Sequence, residues 1–92
     1  MNPTKESVIV MKVLSNMHRY KIMQILLETK TDLCVNEIAA AADISQSLAS
    51  QQLAYLQAHG LIVGHRIGKT VCYLPSSIPV TKKIQQVITV LS

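Results

Sequence analysis

The chain has 92 residues, 49% of them hydrophobic and 15% charged, which allows one small core and reads as a single domain over residues 1–92. So apolar a composition on so short a chain predicts that part of the surface is covered by a second copy. The net charge of +4 points to a polyanionic partner, and no apolar run reaches the roughly 18 residues that span a bilayer, so nucleic acid is favoured over membrane.

Residues Met1 to Glu6 are polar, and the apolar run behind them carries Lys12. This is not a secretory signal pattern, and a cytoplasmic location is expected. In such a chain the two cysteines, Cys34 and Cys72, do not read as a disulfide framework.

A first helix is expected behind Asn2 as cap and Pro3 at its first position. It carries Val8, Ile9, Val10, Met11, Val13 and Leu14, apolar almost all round, so one side faces this chain and the other a partner. Ser15-Asn16 interrupts the pattern and offers a new cap. A second helix follows from Met17 to about Glu28, with Ile22, Ile25, Leu26 and Thr29 at helical spacing and Arg19, Lys21 and Gln24 outside. Thr29 to Asp32 is a polar connector, and Leu33-Cys34-Val35 leads into a third helix in which Ile38 and Ala39 point inward.

Asp43 occupies a turn whose backbone calls for a left-handed residue. Ile44 plugs the angle, and Ser45 caps the next helix. On that helix Gln46, Ser47, Ser50, Gln51, Ala54, Gln57 and Ala58 fill one arc, while Leu48, Ala49, Leu53, Tyr55 and Leu56 fill the other. The first arc is small, amide-rich and uncharged. Short hydroxyls permit close approach to another surface, and glutamine amides pair bidentately with adenine in a major groove. Gln52 falls in the apolar arc, where its amide is expected to bond to nearby backbone, since an unpaired buried amide costs about 1–3 kcal/mol. Gly60 stops the helix.

Beyond Gly60 the period changes from 3.6 to 2. Leu61 to Arg66 and Thr70 to Leu74 read as strands joined around Ile67-Gly68-Lys69, a β-hairpin with a glycine-bearing turn. Pro79 opens a last helix with Ile84, Val87, Ile88 and Leu91 at i, i+3, i+4 and i+7. The predicted fold class is mainly α with a small β-hairpin: a winged helix-turn-helix, dimerised through its N- and C-terminal helices. Val8, Met11, Ile84, Val87, Ile88 and Leu91 are the expected interface.

These residues resemble the ArsR family of bacterial winged-helix repressors, from about Val13 to Tyr73. The resemblance is carried by Leu14-Ser15-Asn16 followed by Arg19 and Ile22, and by Ser45-Gln46-Ser47 with Ser50 and Leu53. His59-Gly60-Leu61-Ile62 and the wing Arg66-Ile67-Gly68-Lys69 leading to Tyr73 complete it. It implies a cytoplasmic transcription regulator, a homodimer whose recognition helices enter successive major grooves of an inverted-repeat operator in double-stranded DNA. Gln46, Ser47, Ser50 and Gln51 are the expected base readers, with Arg66 and Lys69 on the wing at phosphate or in the minor groove and His65 beside them at phosphate or solvent.

Many members of that family release DNA when a metal binds. Here Cys34 fits a family thiolate position, but Asn36 stands at the next ligand position, and the last helix contains no His, Asp, Glu or Cys. One soft ligand per chain does not make a tetrahedral zinc site, so neither a metal site nor another cofactor is expected. Other members use paired cysteines, but Gln24 stands at one of those positions and the last helix lacks the other. Two readings of Cys34 and Cys72 therefore stay open: small, partly buried packing residues, or a redox pair, which requires their Cα atoms within about 7 Å. No phosphate loop, nucleophile elbow or buried carboxylate pair suggests an enzyme. The alternative function is a winged-helix module that binds protein instead of DNA.

Overall fold

The computed structural model describes residues 2–29 and 31–92; Lys30 of the expected connector and Met1 lie outside the described residues. The elements run α1 (Lys5–Leu14), α2 (Met17–Glu28), β1 (Leu33–Cys34), α3 (Val35–Ala42), α4 (Gln46–Ala58), β2 (Ile62–Ile67), β3 (Thr70–Pro75) and α5 (Pro79–Leu91).

Three of the helices, α1, α2 and α4, begin at a side chain that caps them. The start of α1 falls two residues later than the Asn2-Pro3 reading, because the Thr4 hydroxyl accepts the Ser7 amide at 3.0 Å. Asn16 caps α2 by accepting the His18 and Arg19 amides at 2.9 and 3.1 Å, and Ser45 caps α4 by accepting Leu48 N–H at 3.0 Å. Pro79 takes the first turn of α5, where its missing N–H costs nothing.

Helices α3 and α4 meet through a tight turn. Asp43 has φ 56° and ψ 49°, the left-handed conformation its position predicts, and its N–H closes on Ala40 O at 3.2 Å. Ala39, Ala42 and Ala49 are buried between the helices; small side chains let the two backbones come close. The core continues through Ile22, Met23, Leu26, Ile38, Leu53, Leu56 and Leu61, all within 1% of complete burial.

The sheet has three strands, order β1-β3-β2, all antiparallel. The β2–β3 hairpin was expected, with Gly68 at φ +63° opening its two-residue loop. Strand β1 was not. Its two residues pair Leu33 with Tyr73 and Cys34 with Cys72, so the segment before α3 is held edge-on to the wing. The added strand turns the hairpin into a small sheet whose inner face, including Leu33, Ile62 and Tyr73, packs on the core.

Helices α1 and α5 pack together, and here one expectation needs correction. Ile84 is 0% and Ile88 5% exposed inside the chain's own core, so neither is free to meet a second copy. Val80 and Thr81 join them on the inward face of α5. The apolar side chains left outside are Val8 and Met11 on α1 and Val90 and Leu91 on α5, with Val87 half-buried beside them.

The left-handed turn gives a direct stability test. Asp43→Gly should leave stability unchanged or raise it slightly, whereas Asp43→Val should cost about 1–2 kcal/mol, because a β-branched residue is strained at positive φ. Urea denaturation of the three proteins measures the difference.

Candidate nucleic-acid interface

The outward arc of α4 is as the helical pattern requires. Gln46, Ser47, Ser50, Gln51, Ala54, Gln57 and Ala58 are exposed, while Ala49, Leu53 and Leu56 are completely buried. The arc is thus presented by a helix anchored along its opposite side, a rigid support for polar groups that must meet a partner in fixed geometry. Gln52 is half-buried and makes no hydrogen bond to the described residues; the expected amide-to-backbone bond is absent because its edge position leaves it open to solvent.

Arg19 holds the far end of α4. Sequence spacing put it outside α2, yet it turns inward: Nη2 donates to Lys12 O at 2.8 Å, and the guanidinium lies 4.2 Å from the Tyr55 ring centroid. Tyr55 in turn packs on His59, ring centroids 4.4 Å apart, and the His59 Nδ1 lies 2.9 Å from Tyr55 O. The end of α1, the start of α2 and the second half of α4 are joined through this one side chain. A long aliphatic stem with a planar cation makes that possible at an apolar boundary.

The wing carries Arg66, Ile67, Lys69 and Thr70, all exposed. His65, expected at phosphate or solvent, meets a carboxylate of its own chain. Its Nε2 lies 2.7 Å from Asp32 Oδ2, with the two side chains 41% and 31% exposed. This pair connects β2 to the segment ahead of β1.

Of the two open readings of Cys34 and Cys72, packing residues or a redox pair, the structure has the pair: they are joined by a disulfide. The reason is β1: pairing of Leu33–Cys34 with β3 sets the two cysteines directly opposite each other. Cys72 is fully buried and Cys34 partly exposed. The Cys34 amide donates to Glu37 Oε1 at 2.9 Å, so the strand is also tied to the first turn of α3. Among the described residues no group of three or more His, Cys, Asp or Glu side chains is disposed to hold a metal ion. No described helix is long and apolar enough to cross a membrane.

A helix-turn-helix followed by a two-stranded wing is one geometry among known DNA-binding folds, and comparison with known proteins identifies it. The family model for bacterial regulatory proteins of the arsR family matches residues 16–63, more than half of the chain. The chain belongs to the arsR family. Its members are transcriptional regulators and not enzymes, and this arsR-family chain is accordingly a DNA-binding regulator with the winged helix-turn-helix fold. It is 34% identical over 80 residues to the transcriptional activator HlyU of Vibrio cholerae, covering 87% of this chain and 72% of the relative. The reduced form of HlyU superposes with a TM-score of 0.78 over 92% of this chain and 87% of that one, at 30% identity. A putative arsenical resistance operon repressor, ArsR of Halobacterium salinarum, is 38% identical over 60 residues, 65% of this chain but 46% of the relative. The homodimeric winged helix-turn-helix domain of Mb0332 from Mycobacterium bovis has a TM-score of 0.77 at 27% identity, covering 94% and 78% of the two chains.

Proposed function

We propose that this arsR-family protein is a homodimeric, cytoplasmic repressor that binds an inverted-repeat operator in double-stranded DNA and responds to oxidation, not to a metal. The observation that carries the DNA reading is the uncharged Gln/Ser arc, exposed on a helix whose other side is buried. Gln46, Ser47, Ser50 and Gln51 read base edges, and Arg66 and Lys69 contact phosphate or the minor groove, adding affinity with little sequence information. Repression follows from occupancy of the promoter, and the Halobacterium salinarum relative is named as an operon repressor.

The dimer reading draws on the exposed apolar side chains of α1 and α5 and on the homodimeric Mb0332 domain. Val8, Met11, Val87 and Leu91 remain in the proposed seam, with Val90 added. Ile84 and Ile88 support it from inside.

The redox reading rests on the Cys34–Cys72 bond. It links the residue immediately before α3 to the middle of a wing strand. Two thiols need van der Waals separation where a disulfide needs a covalent bond, so reduction lets β1 and the start of α3 move relative to the wing. The reduced protein holds DNA, and the oxidised protein releases it.

The DNA reading is tested by selecting duplexes from a random pool with reduced protein and comparing affinity for selected and random sequence. In the double variant Gln46→Ala/Ser47→Ala the preference should fall, each good base contact contributing about 1–3 kcal/mol of discrimination. Arg66→Gln/Lys69→Gln should instead keep the preference and lower the salt slope by about two phosphate equivalents per wing. Unchanged preference in the first variant contradicts the assignment of α4.

The seam is tested separately. Met11→Glu sets a charge on an exposed position, where the folded monomer tolerates it and a dry interface does not. Sedimentation should show a folded monomer with circular dichroism like wild type; an intact dimer places the seam elsewhere.

A further inference from the structure

The geometry points to Asp32 and His65 as a proton-transfer pair for the Cys34–Cys72 couple, with His65 the base that deprotonates Cys72 as the disulfide closes. This rests on the redox reading above and adds to it the groups that set its rate.

Three residues lie in one row across the sheet. His65 is directly opposite Cys72 in the β2–β3 register, and Cys72 is directly opposite Cys34 in the β3–β1 register. Opposite residues share a face, with Cβ atoms about 4.5–5.5 Å apart. The imidazole is fixed from the far side by the Asp32 carboxylate, 2.7 Å from Nε2. Among the described residues Nδ1 has no hydrogen-bond partner. A base oriented by a carboxylate and set beside a thiol is the arrangement that activates a sulfur nucleophile. Arg66, the next charge on the strand, alternates to the other face.

The burial of the two sulfurs fixes their order. Cys34 is partly exposed and Cys72 is not, so a hydroperoxide meets Cys34. The Cys34 thiol ionises to solvent and attacks the peroxide as the thiolate: an S–O bond forms, the O–O bond breaks, and the departing oxygen takes back that proton from solvent and leaves as alcohol or water. Cys34 is then a sulfenic acid. His65 takes the proton of the Cys72 thiol, and the Cys72 thiolate attacks the Cys34 sulfur. The S–S bond forms, the S–O bond breaks, and the hydroxide takes the proton from His65 and leaves as water. Two thiols lose two electrons to one peroxide, and the imidazole is regenerated. Cys72, shut away from water, has no other described base beside it in the sheet.

The test follows disulfide closure after hydrogen peroxide is added to reduced protein, by non-reducing mass spectrometry with dimedone as the trap for sulfenic acid. Wild type should close with little trapped intermediate. His65→Ala should accumulate the Cys34 adduct and close on the order of tenfold slower or more, with added imidazole restoring much of the rate. His65→Gln, which keeps an amide beside Asp32, should be as slow and covers the case where His65→Ala fails to fold. Asp32→Asn should fall between. Closure at the wild-type rate in either His65 variant, or slow closure of His65→Ala that imidazole does not restore, overturns the proposal. Failure of the redox reading looks different: wild type that forms no Cys34–Cys72 bond overturns both. Closed and open wild type with equal affinity for the selected duplex removes operator control and leaves the proton transfer standing.

Discussion

Burial of one side of α4 is the constraint on which the rest of this molecule depends. Ala49, Leu53 and Leu56 are fully enclosed by α2, α3 and the start of β2, and that packing leaves only one orientation for the Gln/Ser arc. A helix that rolled by one residue would expose leucines and bury glutamine amides, losing apolar burial and leaving polar groups unpaired. The small residues at the α3–α4 crossing and the left-handed turn at Asp43 set its angle; Arg19, clamped between Lys12 O and the Tyr55 ring, fixes its far end. Recognition chemistry here is a consequence of core packing.

The second organising contact is smaller. Two residues of β1 pair with β3, and through them the segment before α3 becomes part of the wing sheet. The helix-turn-helix and the wing, adjacent along the chain only through the end of α4, gain a direct connection. Cys34–Cys72 and Asp32–His65 both lie across that connection. The disulfide and the ion pair thus lie between the two elements proposed to touch DNA.

Much of this was legible in the sequence because the signals were local. Asn16, Ser45, Asp43 and Pro79 mark helix ends through hydrogen bonds and backbone angles determined within a few residues, and the α4 arc follows from the 3.6 period alone. What was not legible depends on distant partners. A two-residue strand has no period, and β1 exists only because β3 lies alongside it. The disulfide and the His65–Asp32 pair were hidden for the same reason. Ile84 and Ile88 show a different limit: an apolar stripe reads identically whether it faces its own core or a second copy. Packing of α5 against α1 and α2 turns them inward, leaving Met11, Val90 and Leu91 outside. Arg19 was misplaced because a charged residue at a helix boundary reads as solvated until an aromatic ring is found beneath it.

The central claim, that the α4 arc and the wing tip form the DNA surface, is tested most directly by titrating a selected operator duplex into reduced, isotopically labelled protein. Amide and side-chain amide resonances then report each residue in turn. The largest changes are expected at Gln46, Ser47, Ser50 and Gln51 and at Arg66 to Lys69, with the outer positions of α1 and α5 unaffected. Changes concentrated on α1 and α5, with the side-chain amides of Gln46 and Gln51 unmoved, would contradict it.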